Sequence, residues 1–77
     1  MKRTNSGTPI LEVGDSIMCN GTKVTIAEIT FQEYWGDNVS REHGFYTEFR
    51  DTNGRYHNWK QMYDGGYVIS KGNEVIL

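Results

Sequence analysis

The chain has 77 residues, of which 36% are hydrophobic and 13% aromatic. Eight basic against ten acidic residues give 8 − 10 = −2, which argues against a general affinity for nucleic acid, because that requires neutralisation of phosphate charge. A chain of this length buries one modest core. No apolar run approaches the roughly 20 residues of a spanning helix, so we expect no membrane crossing. The single cysteine, Cys19, excludes an internal disulfide.

The residue content favours strands over helices. β-Branched and aromatic residues are abundant, whereas the chain has only one alanine and two leucines. Residues 1–9 are mostly polar and end at the only proline, which predicts a flexible N-terminal segment. They lack the apolar stretch of a secretory signal, so a cytoplasmic location is expected. Residues 10–77 are predicted to form a single small β domain.

Asn20-Gly21 lies between two alternating segments and predicts a β-hairpin with a two-residue turn. This turn pairs Cys19 with Thr22 and Ile17 with Val24. The side chains expected on one inward face are Ile17, Cys19, Val24 and Ile26.

The apolar phase changes after Ile26, since the next apolar positions are Ile29 and Phe31. We therefore expect a β-bulge at Ala27-Glu28, with Phe31 in the core. Residues 32–44 show no strand period and contain several turn formers, which predicts a long loop.

A second hairpin is predicted around the turn Asp51–Gly54. Its register pairs Arg50 with Tyr56, Phe49 with His57, and Thr47 with Trp59. The inward side chains are then Phe45, Thr47, Phe49, His57 and Trp59. The outward side chains are Tyr46, Glu48, Arg50, Tyr56, Asn58 and Lys60.

Towards the C-terminus, a short turn is expected at residues 61–64, and Gly65-Gly66 then redirects the chain into Tyr67–Ile69. Lys71–Asn73 predicts a last hairpin turn that leads into Glu74–Leu77. This terminal strand could be an edge that pairs with a second copy of the chain, so a homodimer is an open alternative to a monomer.

Together these segments predict an all-β protein, a small antiparallel barrel of five or six strands with a long loop at 32–44. The strand opening Gly14-Asp15-x-Ile17, with the Asn-Gly and Asp-x-Asn-Gly turns, resembles the SH3-like barrels of the Tudor and KOW class over residues 10–77. The resemblance implies a non-enzymatic platform that binds peptides or nucleic acids through loops and exposed aromatic rings. The run Gly44–Gly66 also resembles short accessory proteins of phages and mobile elements.

Candidate catalytic and metal-binding groups are few. Cys19, His43 and His57 are the only soft metal ligands, and their spacing matches no zinc motif, so we expect no metal and no cofactor. Cys19 and His57 could form a nucleophile pair, but a cysteine inside a hairpin core is normally an inert small hydrophobe. We therefore expect no enzymatic activity.

Aromatic residues exceed what the core needs. Rings left outside, beside basic side chains, would form a surface for stacking and hydrogen bonding with a protein partner or, alternatively, with single-stranded nucleic acid. The opposing interpretation is that Tyr34 or Trp35 folds back as a lid and the tyrosines pair across strands. The predicted partner-binding residues are Tyr34, Trp35, Tyr46, Arg50, Tyr56 and Lys60.

A second hypothesis follows from the charge of −4 carried by residues 10–40. It describes a small acidic inhibitor from a phage or mobile element, of anti-CRISPR or another anti-defence type, that blocks a nucleic-acid-binding enzyme by protein–protein contact. Its acidic residues are Glu12, Asp15, Glu28, Glu33 and Asp37.

Overall fold

A computed structural model describes residues 2–36, 38 and 40–71, and all the regular structure in these residues is β. The strands are β1 (Lys2–Arg3), β2 (Pro9–Ile10), β3 (Ser16–Cys19), β4 (Thr22–Trp35), β5 (His43–Asp51), β6 (Tyr56–Asp64) and β7 (Tyr67–Lys71). β1 and β2 form a two-stranded antiparallel sheet, and β3 to β7 form a five-stranded antiparallel sheet in chain order. The all-β antiparallel class predicted from the sequence is confirmed. The described part of the chain contains no helix long and apolar enough to span a membrane.

The five-stranded sheet curls into a half barrel, and its outer strands β3 and β7 do not pair with each other in the described residues. The first hairpin has the predicted register, with Cys19 opposite Thr22 and Ile17 opposite Val24. Asn20 and Gly21 have φ angles of 51° and 82°, as a two-residue turn of this hand requires. Local turn chemistry therefore fixes this pairing.

The second hairpin also has the predicted register, with Phe49 opposite His57 and Thr47 opposite Trp59. Its turn is held by Asp51, whose Oδ1 accepts hydrogen bonds from the backbone N–H groups of Asn53 (2.8 Å) and Arg55 (2.9 Å). The carboxylate thus replaces the backbone acceptors that a sharp turn lacks.

β4 contains two bulges where the sequence indicated one. The predicted irregularity between Ile26 and Glu28 is confirmed, and a second follows between Ile29 and Phe31. The second bulge inserts Thr30, whose Oγ1 donates to the backbone carbonyl of Glu48 at 3.1 Å. Because one inserted residue reverses the side-chain alternation, Phe31 faces away from the core and is 45% exposed. Its predicted place in the core is wrong.

The predicted loop at 32–44 is too long at both ends. β4 continues to Trp35, which pairs with Gly44, and β5 already begins at His43. The strand period was hidden because the second bulge shifts its phase and because polar residues occupy this part of the ladder. The short turn expected at 61–64 is absent, since β6 runs to Asp64 and residues 61–63 pair with β5.

The core lies on the concave side of the sheet. Its buried apolar side chains are Leu11, Ile17, Cys19, Val24, Ile26, Phe45, Phe49 and Trp59. The N-terminal segment closes part of this side: β1 pairs with β2, and Thr8 is only 1% exposed. These contacts lie partly within the stretch that the sequence suggested to be a flexible lead-in.

Gln32 joins this N-terminal cover to the sheet. Its Oε1 accepts hydrogen bonds from the Leu11 N–H (3.2 Å) and the Thr47 hydroxyl (3.1 Å), while its Nε2 donates to the Leu11 carbonyl (3.1 Å). One side chain therefore satisfies both backbone groups of a buried residue.

β7 forms one edge of the sheet. Tyr67, Val68 and Ile69 are all more than half exposed. The predicted last hairpin and the dimer strand Glu74–Leu77 lie outside the described residues.

We expect Gln32→Ala to destabilise the fold by about 2 kcal/mol, because it leaves the N–H and carbonyl groups of Leu11 buried without partners. Urea unfolding followed by circular dichroism measures this change. Glu33→Ala, the exposed next residue of β4, is the matched control and should change stability by less than about 0.5 kcal/mol. Equal effects of the two substitutions would contradict the assigned role of Gln32.

Candidate partner-binding site

The convex side of strands β4 to β6, opposite the core, carries an unusual number of rings and charges, and we refer to it as the outer face. Directly opposed residues of an antiparallel sheet point to the same side. Glu33 pairs with Tyr46, which in turn pairs with Lys60, so these three side chains form one row across the outer face. The neighbouring rows contain Phe31, Glu48 and Asn58, and Glu28, Arg50 and Tyr56.

The indole ring of Trp35 packs against Gly44 on the outer face. Trp35 lies opposite Gly44, and a Cβ atom at position 44 would come within 2.9 Å of Cζ2 of its indole ring and would also collide with the backbone of Gln61. The absence of a side chain at Gly44 therefore creates the shelf on which the indole ring rests.

An open cleft of about 400 Å³ lies beside this ring and is lined by Glu33, Trp35, Tyr46 and Lys60. We refer to it as the aromatic cleft. Two rings provide its apolar surface, and one acidic and one basic side chain provide its charges. Phe31 packs on Tyr46 with ring centroids 5.9 Å apart and extends the aromatic surface along β4.

Glu48 orders the tyrosines of the outer face. The Tyr46 hydroxyl donates to Glu48 Oε1 at 2.7 Å, and hydrogen bonds from Tyr46 and then Tyr56 lower the pKa of the Glu48 carboxyl. The same hydrogen bonding raises the pKa of Tyr46 and raises that of Tyr56 to about 12. The Arg50 guanidinium lies 5.9 Å from the centre of the Tyr56 ring. Both phenols are therefore held in place and protonated at neutral pH.

Five of the six predicted partner-binding residues share the outer face, and Tyr34 does not. Tyr34 pairs with Phe45, whose side chain is in the core, so the alternation of β4 directs Tyr34 to the concave side, where it is half exposed. Its neighbour Trp35 is only partly exposed and lies on the outer face. Sequence reasoning kept the two together because it placed them in a loop.

Phe31 and Glu48 also lie on the outer face, although the predicted set lacked them. The pattern already placed Glu48 outward, and its position between two outward tyrosines could have identified it. No sequence signal marked Phe31, because its orientation depends on the second bulge.

The residues of the acidic-inhibitor hypothesis occupy separate places. Glu12 forms an ion pair of 3.0 Å with Lys2, and Asp15 Oδ2 accepts the Glu12 N–H at 3.0 Å within the turn before β3. Glu28 and Glu33 are exposed on the outer face. Asp37 lies outside the described residues. The hypothesis stays a prediction, with Glu28 and Glu33 as its members on the outer face.

A second groove, of about 420 Å³, lies between the two hairpin turns and contains the Cys19 and His57 pair considered from the sequence. His57 Nε2 lies 2.8 Å from Asp51 Oδ2, and its ring stacks on Phe49. Burial, and to a smaller extent the charge of Asp51, raise the pKa of the Cys19 thiol. The thiol is thus held in its protonated form at neutral pH, whereas a nucleophile requires the thiolate.

In the described residues, no three His, Cys, Asp or Glu side chains are grouped closely enough to hold a metal ion. His43 is buried, and its Nδ1 lies 3.0 Å from the Arg41 carbonyl.

Asp51 makes the free energy of unfolding depend on pH in the acidic range. The hydrogen bond with His57, helped by those from the Arg55 and Asn53 backbone, lowers the pKa of Asp51 below its usual 3.8. An acid with a lowered pKa in the folded state stabilises the fold above its unfolded pKa and loses that contribution as pH falls through its folded pKa. We expect the melting temperature to fall below about pH 4, and Asp51→Asn to flatten this dependence. The exposed Asp64→Asn is the control and should leave the slope unchanged.

The tyrosine–glutamate contacts can be tested by titration. Glu48→Gln removes the carboxylate that stabilises two protonated phenols, so part of the phenolate absorbance at 295 nm should appear about one pH unit or more earlier than in the unsubstituted protein. Glu33→Gln, on the same face without such contacts, should leave the titration unchanged. Identical curves for the Glu48 variant and the original chain would show that its carboxylate does not hold the two hydroxyls.

No family model matches the chain, and comparisons with curated proteins and with solved structures find no match either.

Proposed function

We propose that this protein is a non-catalytic module that binds another protein through its outer face. The observation that carries the proposal is the aromatic cleft, where Trp35 and Tyr46 present ring surface on the side of the sheet that the core does not use. Large rings with few rotatable bonds lose little conformational entropy on binding, and they dominate the energetics of many protein interfaces.

The site is also ordered before binding. Trp35 packs on Gly44, and the Tyr46 hydroxyl is hydrogen-bonded to Glu48. Both rings are therefore ordered in the free protein and lose little conformational entropy when a partner binds. The half-barrel sheet provides the stiff support that such a surface needs, in keeping with the SH3-like platform that we propose as the finer fold class.

A protein partner fits the charge of the outer face better than nucleic acid does. The three paired rows described above carry three carboxylates, from Glu28, Glu33 and Glu48, against two basic side chains, from Arg50 and Lys60. Nucleic-acid affinity relies on cations that neutralise phosphates, and this balance opposes it. A non-catalytic role is supported by the protonated Cys19 thiol and by the hydrogen bonds that already occupy Asp51.

The proposal is tested by affinity capture from cells that produce this chain, followed by quantitative mass spectrometry. Trp35→Ala and Lys60→Ala should each reduce the captured partner about ten-fold, because each removes one wall of the aromatic cleft. The matched controls are Tyr67→Ala and Lys23→Ala, an exposed ring and an exposed base away from the cleft, which should retain it.

Melting curves identify any variant that loses partner through unfolding, and Lys60→Ala, an exposed position, is the variant least prone to this. Nuclease treatment of the lysate should leave the captured protein unchanged. Full retention of the partner by both folded cleft variants, or its loss with nuclease, would overturn the proposal.

A further inference from the structure

Two charged side chains of the aromatic cleft have no ion-pair partner among the described residues. In the described residues, the ion pairs are Lys2 with Glu12 and His57 with Asp51, so neither Glu33 nor Lys60 belongs to one. On the neighbouring rows, Glu48 receives phenol hydrogen bonds and Arg50 lies by the Tyr56 ring, whereas Glu28 is exposed two rows away from the cleft. Among the described residues that line the cleft, Glu33 and Lys60 are therefore the charges available to a ligand.

The strand pairing sets the distance between the two residues that carry these charges. Glu33 on β4 and Lys60 on β6 stand on either side of Tyr46 on β5, in a single row of paired residues. Neighbouring strands are about 4.8 Å apart, which places the two Cα atoms about 10 Å from each other. The Tyr46 ring lies between them, and the Trp35 ring lies beside them.

From this arrangement we infer that the ligand of the aromatic cleft is a protein segment bearing a basic side chain and an acidic side chain on either side of an apolar one. The basic group faces Glu33, the apolar group rests on Tyr46 and Trp35, and the acidic group faces Lys60. This inference rests on the proposed function and names the partner chemistry of the same site.

An extended segment that crosses the strands fits this spacing. In an extended chain, alternate side chains point to one side, and positions one, three and five span about 13 Å. Lysine and glutamate side chains are long enough to lean inwards over the remaining difference. A ligand with two charges of one sign would meet one attraction and one repulsion, and would bind more weakly.

The test uses defined pentapeptides with blocked ends, titrated into the isotopically labelled full chain and followed by NMR chemical shifts. They are Lys-Ser-Leu-Ser-Glu, Lys-Ser-Leu-Ser-Lys and Glu-Ser-Leu-Ser-Glu. The mixed peptide should bind with a Kd in the millimolar range and at least three-fold more tightly than either other peptide. The largest shifts should fall on Trp35, Tyr46 and Lys60.

Charge reversal at either residue of the cleft should change which of the three peptides binds most tightly. Glu33→Lys should make the doubly acidic peptide the tightest ligand, and Lys60→Glu should do the same for the doubly basic peptide. Lys23→Glu, a reversal away from the cleft, should keep the original order. High salt should compress all the differences, because exposed charges are screened.

Equal affinity of the three peptides for the unsubstituted chain, or an order that charge reversal leaves unchanged, would overturn the inference. Affinity capture separates this failure from that of the proposed function. If the captured partner is lost with Trp35→Ala while the peptides show no charge order, the proposed function stands and the charge pattern of its ligand does not.

Discussion

The pairing of β4 with β5 determines which side chains are available for function. Two bulges interrupt this ladder, and each reverses the alternation of β4. After the first, Ile29 turns back to the core; after the second, Phe31 turns out and Gln32 turns in. A single register thus supplies both the buried amide that fastens the N-terminal segment and the rings of the outer face. The core and the candidate site lie on opposite sides of the same sheet, and the pairing of β4 with β5 positions both.

Polar interactions have different tasks on the two sides of the sheet. On the concave side, Gln32 satisfies both backbone groups of the buried Leu11, and Asp51 accepts hydrogen bonds from the N–H groups of its turn. On the outer face, Glu48 orients two phenols, and its carboxylate is occupied by the hydrogen bonds that they donate. Glu33 and Lys60 remain directed at solvent beside the same rings. The division separates groups that build the surface from groups free to recognise a partner.

Sequence patterns could predict the features governed by local geometry. Asn20-Gly21 and the turn Asp51–Gly54 each determine a hairpin register through backbone angles and short-range hydrogen bonds, and both registers are confirmed. The second bulge could not be found in this way, because Thr30 bonds to Glu48, eighteen residues along the chain. The errors at Phe31, at residues 32–44 and in the grouping of Tyr34 with Trp35 follow from that non-local contact. The outward positions of Tyr46 and Tyr56 depended only on the hairpin and were predicted correctly.

Gly44 links backbone packing to the site in a way that bears on how such a chain can diverge. Any larger residue there would need β6 to move away and would displace the indole ring across from it. A Cβ at position 44 would meet the Gln61 carbonyl oxygen whatever residue stands at position 35, so glycine stays necessary there even when the tryptophan is lost. Position 44 is accordingly the constrained member of the pair, and position 35 is the one at which the surface can vary while the sheet stays intact.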